Sequence, residues 1–414
     1  MEVKRLSVIA GGPVRRRASV AAALRHAWDA GPFRVDDVIE AGGLTRSTAI
    51  AAVDELIEFG LVRELPNARA DGGYRLGRPA RRFELRADAA VVVGLDAGQS
   101  SLSCIVADLA GAEIARHRHS VDPGDESTAA RRSASERAVD LALDAAGQPR
   151  SAVLAIGVGV PAPVDREGAS PAHPSGFWQR MNPDLAGLFA EWAPVVRVEN
   201  DATLAAVAER SVGVARGCDS FVALLAGTRF GAGVVINGHV LRGAHGGVGE
   251  LDGYRWVDGV GSTTGLGPRL VEWTIELRRS GVIPADHPLT AIPDDRLDAG
   301  AILAAVSADD PVGMALIDRA GRLLARITNV LAGFYDPQAV VVCGAIPGID
   351  HVLDAASAFL SDELVLPPPR IIASGLGGAV VALGAVAAAR QAARDRVLLL
   401  DPGRAPGRLT PVRA

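Results

Sequence analysis

At 414 residues, 49% hydrophobic but only 4% aromatic, the chain can build two or three domains on cores of Ala, Val and Leu. A net charge of −5 argues against wholesale nucleic-acid binding. With no apolar run of membrane-spanning length and no leader pattern, the sequence reads as a soluble, cytoplasmic protein without membrane partners. The average hides an asymmetry, because residues 1–86 hold 15 Lys and Arg against 11 Asp and Glu. A basic amino-terminal module on an acidic body suggests two partners for two domains. Cys104, Cys218 and Cys343 lie far apart beside apolar runs and read as free thiols of a reducing compartment.

From Val20 to Phe59 three helical patterns are separated by turn signals. "SVAAALRHAWDAG" stops at Gly31-Pro32, "RVDDVIEAGG" ends on two glycines, and "LTRSTAIAAVDELIEFG" starts at a cap, Thr45 or Ser47, and closes at Gly60. Three helices with a tight glycine turn before the third have helix-turn-helix spacing. Two strands, "LVREL" and "RRFEL", follow around a Gly-rich stretch and complete a winged helix. A plain three-helix bundle is the alternative, and the charge of the wing speaks against it. Arg69, Arg75, Arg78, Arg81, Arg82 and Arg86 face only Asp71 and Glu84. Gly77-Arg78-Pro79 is a narrow tip suited to a minor groove, and Arg46, Ser47 and Thr48 open the third helix toward base edges or phosphates. The expected partner is an operator in double-stranded DNA, contacted by Arg46, Ser47, Thr48, Arg75, Arg78 and Arg81.

Beyond Val91 the pattern is α/β, with "VVVGLDAGQSSLSCIVADLAG" and "SFVALLAGTRFGAGVVINGHVL" sharing one plan: apolar strand, glycine turn, apolar strand. Such a repeat predicts two similar lobes facing a cleft. In "APVVRVENDATLAAVAERSVG" a strand ends in Glu199-Asn200-Asp201 and passes into a helix, the place where α/β sheets bind ligands. Asn and Asp are equally ordinary helix caps there. "LRGAHGGVGELDG" is a glycine-rich loop that presents Glu250, for which simple solvation is the other reading.

"LDAGQSS", "GVGVPAPVD", "VENDATLAAVAE", "AGTRFGAGVVINGHVLRGAHGGVGE" and "GLGGAVVALGAVAAA" stand in the order seen in the ROK family of repressors and sugar kinases, which this chain resembles from about Val91 to Arg390. The resemblance implies an amino-terminal winged helix-turn-helix, residues 1–87, and a two-lobed actin/hexokinase-like (ribonuclease H-like) α/β body, residues 88–396. The Pro/Gly/Arg-rich tail 397–414 reads as disordered. It further implies that Asn200, Asp201 and Glu250 bind sugar hydroxyls, Asp201 standing at the position of the kinases' catalytic base.

Departures from the kinase pattern carry as much information. Asp96 and Gly98 are kept in the first phosphate loop, but Gln99 replaces a glycine and Ser100 a threonine. In the second loop Gly227 and Thr228 stand, with Arg229 where a glycine belongs, and Cys343 precedes Gly344 at a third glycine position. Side chains there crowd the backbone approach to phosphate. The family's Glu-x-Gly-His reads Glu250-Leu251-Asp252-Gly253, and "YRWVDGVGSTTGLGPRL" offers no Cys or His, so neither zinc nor another cofactor is expected. The expectation is a regulator of carbohydrate metabolism without kinase activity, homodimeric or homotetrameric, with a sugar or sugar-phosphate effector. An active ATP-dependent sugar kinase with an appended DNA-binding module, and a regulator that binds no sugar, are the alternatives.

Overall fold

Apolar residues at helical spacing give the first helix its buried face. In the computed structural model, α1 (Gly12–Asp29) buries Val20, Ala23, Leu24, Ala27 and Trp28, a stripe repeating every three or four residues. The structure describes residues 12–66, 81–121, 127–307, 310–360 and 366–400. After α1 come the two-residue strand β1 (Phe33–Arg34), α2 (Val35–Gly42) and α3 (Arg46–Glu58). Gly43, left-handed at φ 59°, ends α2, and the Thr45 side chain caps α3. Strands β2 (Val62–Leu65) and β3 (Arg82–Leu85) follow, and the sheet order is β1-β3-β2. The sequence reading has no counterpart to β1, whose Phe33 pairs with Phe83. Their rings lie 5.9 Å apart in the core of a winged helix.

The body is two sheets of one design. The first has β4 (Val91–Ala97), β5 (Ser101–Asp108), β6 (Glu113–Ser120), α4 (Thr128–Ala145), β7 (Val153–Val160), α5 (Phe177–Met181), α6 (Leu185–Ala190) and β8 (Val195–Asn200). Its order, β6-β5-β4-β7-β8, puts antiparallel hairpins on one side and parallel strands on the other. Helix α7 (Asp201–Ser211) leads to the second unit: β9 (Phe221–Leu225), β10 (Gly231–Ile236), β11 (His239–Leu241), α8 (Leu266–Arg279), α9 (Pro288–Ala291), α10 (Ala299–Ala305), α11 (Pro311–Tyr335), β12 (Ala339–Cys343), α12 (Asp350–Ala358) and β13 (Arg370–Ala373). The order β11-β10-β9-β12-β13 repeats the first, as the duplicated hairpin sequences predict.

The last helix, α13 (Val380–Arg396), ties the parts together. It packs on β4, β7 and α7, and its approach to the first sheet is close enough that a Cβ on Gly157 would meet the Ala385 carbonyl at 2.1 Å. Only glycine fits there. One apolar core then runs from Trp28, Phe33 and Phe83 through Ile105 and Leu109 to Ala389 and Ala393, joining the winged helix to the first lobe and α13. Arg390 donates to the carbonyls of Trp28 and Leu109, and Asp29 takes both Arg390 (3.0 Å) and Arg394 (3.3 Å). Val397–Leu399, included in the expected disordered tail, form a short 3-10 turn that Leu400 follows. Val397, Leu398 and Leu400 pack on that core because they are apolar; residues 401–414 lie outside the described residues. Cys104 and Cys343 are buried, Cys218 is half-buried, and all three are free. Among the described residues no helix is long and apolar enough to cross a membrane.

Candidate functional site

Two sets of residues emerge. On the winged helix, Thr45 Oγ1 accepts from the Thr48 amide at 3.3 Å and lies 2.8 Å from the Thr48 hydroxyl and 3.3 Å from that of Ser47. Of the two cap candidates it is therefore Thr45 that caps, and Ser47 remains exposed beside it. Arg46 Nη1 lies 2.8 Å from Asp36 Oδ1, with both side chains largely in water. An ion pair that exposed contributes little and yields readily to a phosphate. Arg81 is engaged inside the module: it pairs with Glu64 at 2.8 Å and Asp54 at 3.4 Å and lies over the Phe83 ring at 5.0 Å. Arg75 and the tip Gly77-Arg78-Pro79 lie outside the described residues.

The second set lies where β8 meets α7. Asn200 is buried and caps α7, its Oδ1 accepting from the Thr203 amide at 3.0 Å. Its Nδ2 donates to the Ala162 carbonyl at 3.3 Å and to Glu250 Oε1 at 3.4 Å. Capping and site are thus one residue. Glu250 is held by its loop: Gly249, at φ 87°, presses on β10 so closely that a Cβ would meet the Ala232 carbonyl at 1.6 Å, and Gly249 accepts from the Ala232 amide at 3.0 Å.

Electrostatics couple the carboxyls of the cluster. Burial, reinforced by Asp96, pushes the Asp201 carboxyl up to about 7. Asp96 rises to about 7 through burial, against the pull of Arg131 and Arg118. Glu250 is driven up to about 7 by the same desolvation and by Asp201, although its exposed surface lets water offset part of that push. Like charges crowded in partial burial favour neutral carboxyls, or a ligand whose hydroxyls donate to the charged ones.

Two arginines join this site beyond the residues that the sequence singled out for ligand binding. Arg131, buried on α4, donates to the carbonyls of Ala97 and Gly98 and so holds the first hairpin from behind. Arg229 lowers the pKa values of both Asp201 and Glu250, reaches Thr263 Oγ1 at 2.8 Å and lies 5.9 Å from the Phe177 ring. Its place in a glycine pattern was the signal for it; nothing local marks Arg131. Gly227 and Thr228 open onto a cavity of about 1560 Å³ that extends to Trp273 and Arg319. Among the described residues no group of three or more His, Cys, Asp or Glu comes together to hold a metal ion.

The ROK family model matches residues 92–392. The chain is 28% identical over 238 residues to the xylose repressor of Bacillus spizizenii, covering 56% of this chain and 58% of that protein, so the match spans little more than half of the relative. It is 23% identical over 333 residues to the DNA-binding transcriptional dual regulator NagC of Escherichia coli K12, covering 78% and 79%. The crystal structure of a ROK family transcriptional regulator, a homologue of the E. coli MLC protein, superposes with a TM-score of 0.72 at 20% identity over 94% of this chain and 99% of that one. That likeness extends through the winged helix as well as both lobes. With its duplicated sheets and a family match over most of its length, the chain belongs to the ROK family.

Proposed function

We propose that this protein is a transcriptional regulator of carbohydrate metabolism. Its winged helix binds operator DNA, and its cleft binds a sugar or sugar phosphate through Asn200, Asp201 and Glu250. The observation that carries the reading is a single one: the exposed start of α3 belongs to a winged helix that shares its core with a sugar-kinase-like body. A ligand that alters the lobes can therefore be felt at the DNA. Relatives named as a repressor and as a DNA-binding transcriptional dual regulator support the same reading.

Arg46, Ser47 and Thr48 contact the DNA from α3, and Arg75 and Arg78 from the wing; Arg81 steadies the sheet and reaches DNA only by leaving Glu64. Recognition of two half-sites calls for a homo-oligomer. Arg46→Ala is expected to weaken operator binding by about 1–3 kcal/mol if the guanidinium reads a base. Fluorescence anisotropy on an operator selected from random duplexes measures this, and binding should weaken steeply with salt. Unchanged affinity in Arg46→Ala would remove α3 from the interface.

Catalysis is not part of the reading. Arg229 puts a side chain at the second hairpin where the kinase pattern has a glycine. Purified protein mixed with ATP, magnesium and a panel of hexoses is expected to release no ADP above background. Turnover abolished by Asp201→Asn would instead establish the kinase.

A further inference from the structure

The edge strands of the two sheets, β8 and β11, border a second cavity of about 800 Å³. Its walls come from β8, the turn at Arg166–Gly168, α7, β11 and the last turns of α13. Five arginines line it (Arg166, Arg197, Arg210, Arg242 and Arg396) against three carboxylates.

Two of those carboxylates are committed, and the third, Glu167, is exposed on the same turn as Arg166. Glu199, its side chain only 5% exposed, serves Arg197 from its own strand and Arg242 from the other lobe, the latter at 2.9 Å. One buried charge shared by two guanidiniums leaves a positive charge unbalanced in the wall. Asp395 is taken by Arg394 and Gln391, and Arg210 donates to the Gly238 carbonyl. Arg166 and Arg396, both exposed, form no ion pair among the described residues.

We propose that this cavity is a second ligand site, distinct from the cleft, for a small phosphorylated metabolite. Guanidiniums converging from different elements match the oxygens of a phosphate in geometry and charge. The volume lies in the range of small-molecule sites. No Phe, Tyr or Trp lines the cavity, whose walls are dominated by guanidiniums, so a phosphorylated sugar or polyol suits it better than a nucleotide that needs a broad stacking platform. The ligand would touch both lobes and the end of α13, where Arg390 and Arg394 hold Trp28 and Asp29 of the winged helix. Occupancy then favours one arrangement of lobes and α13, which is how differential affinity shifts a two-state equilibrium. That regulatory consequence rests on the DNA-binding reading, whereas the binding itself does not.

Titration calorimetry on the full chain tests the site without DNA, with inorganic pyrophosphate and glucose 6-phosphate as probes and glucose as the neutral control. Both anions are expected to bind, and Arg166→Ala and Arg396→Ala each to weaken pyrophosphate about tenfold, as loss of one charge-assisted contact does. Asp201→Asn should leave pyrophosphate binding unchanged. Both arginines are exposed, so their variants should melt as the wild type does, which a thermal scan verifies. Absence of pyrophosphate binding, wild-type affinity in both arginine variants, or tighter binding in Asp201→Asn would overturn the proposal, the last by placing the anion beside that carboxylate in the cleft.

Discussion

Asp201→Asn is expected to remove most of a sugar's effect on DNA affinity while raising the melting temperature at pH 8. Burial and the neighbouring Asp96 hold the Asp201 carboxyl at about 7, against 3.8 for an unperturbed one. Between those values the native state binds the proton that the unfolded chain releases. This group's contribution to stability is therefore fully present below about pH 4, falls as pH rises to 7, and stays low above it. Asparagine keeps the size and the acceptor for the Ala202 amide but never carries the charge. The gain should be largest above pH 7, on the order of 1–4 kcal/mol, and should vanish toward pH 4. Thermal scans from pH 5 to 8 read it as a widening gap between variant and wild type. A variant less stable than wild type at pH 8 would contradict the electrostatic reading of the cleft. Sugar-free operator binding should be unchanged, since Asp201 lies in the body; sites that sacrifice stability for ligand binding behave in this way.

Phe83→Ala should cost about 3–5 kcal/mol and abolish operator binding. The ring has no exposed surface, sits on the central strand of the winged-helix sheet and faces Phe33 across it, with Arg81 laid over it. Removing it leaves a cavity between β3 and α1 that a module of this size cannot close. Circular dichroism melts give the stability loss and anisotropy the DNA affinity. Wild-type values in both would refute the packing described for β1 and β3. Calorimetry with a cleft ligand should still detect binding, because Asp201 and Glu250 stand on elements outside that core.

Much of this was legible from residues near one another in the chain. Thr45, Gly43 and Gly31-Pro32 mark helix ends by local chemistry that needs no partner. The two glycine hairpins announce the repeated sheets, and Asn200-Asp201 marks the junction of β8 with α7. Strand β1 escaped notice because two residues carry no alternation, and its pairing is supplied by Phe83, fifty residues later. Pro/Gly/Arg content suggests a tail from 397, while Val397, Leu398 and Leu400 pack on a core made by distant elements.

By itself, then, the sequence determined the three amino-terminal helices, the wing strands, the duplicated α/β plan and the carboxylates at the strand–helix junction, since caps, turns and periodicity act over a few residues. Only the tertiary structure decided which charges meet. Asp96 raises the Asp201 pKa from another hairpin, Glu250 reaches Asn200 across fifty residues, and Glu199 joins arginines of two lobes. It also decided that α13 binds the winged helix to the body through Arg390 and Arg394. Such long-range contacts are set by how sheets and helices dock, where close approach at Gly157 and Gly249 and the strength of buried charge govern the outcome, and neither leaves a local mark in the chain.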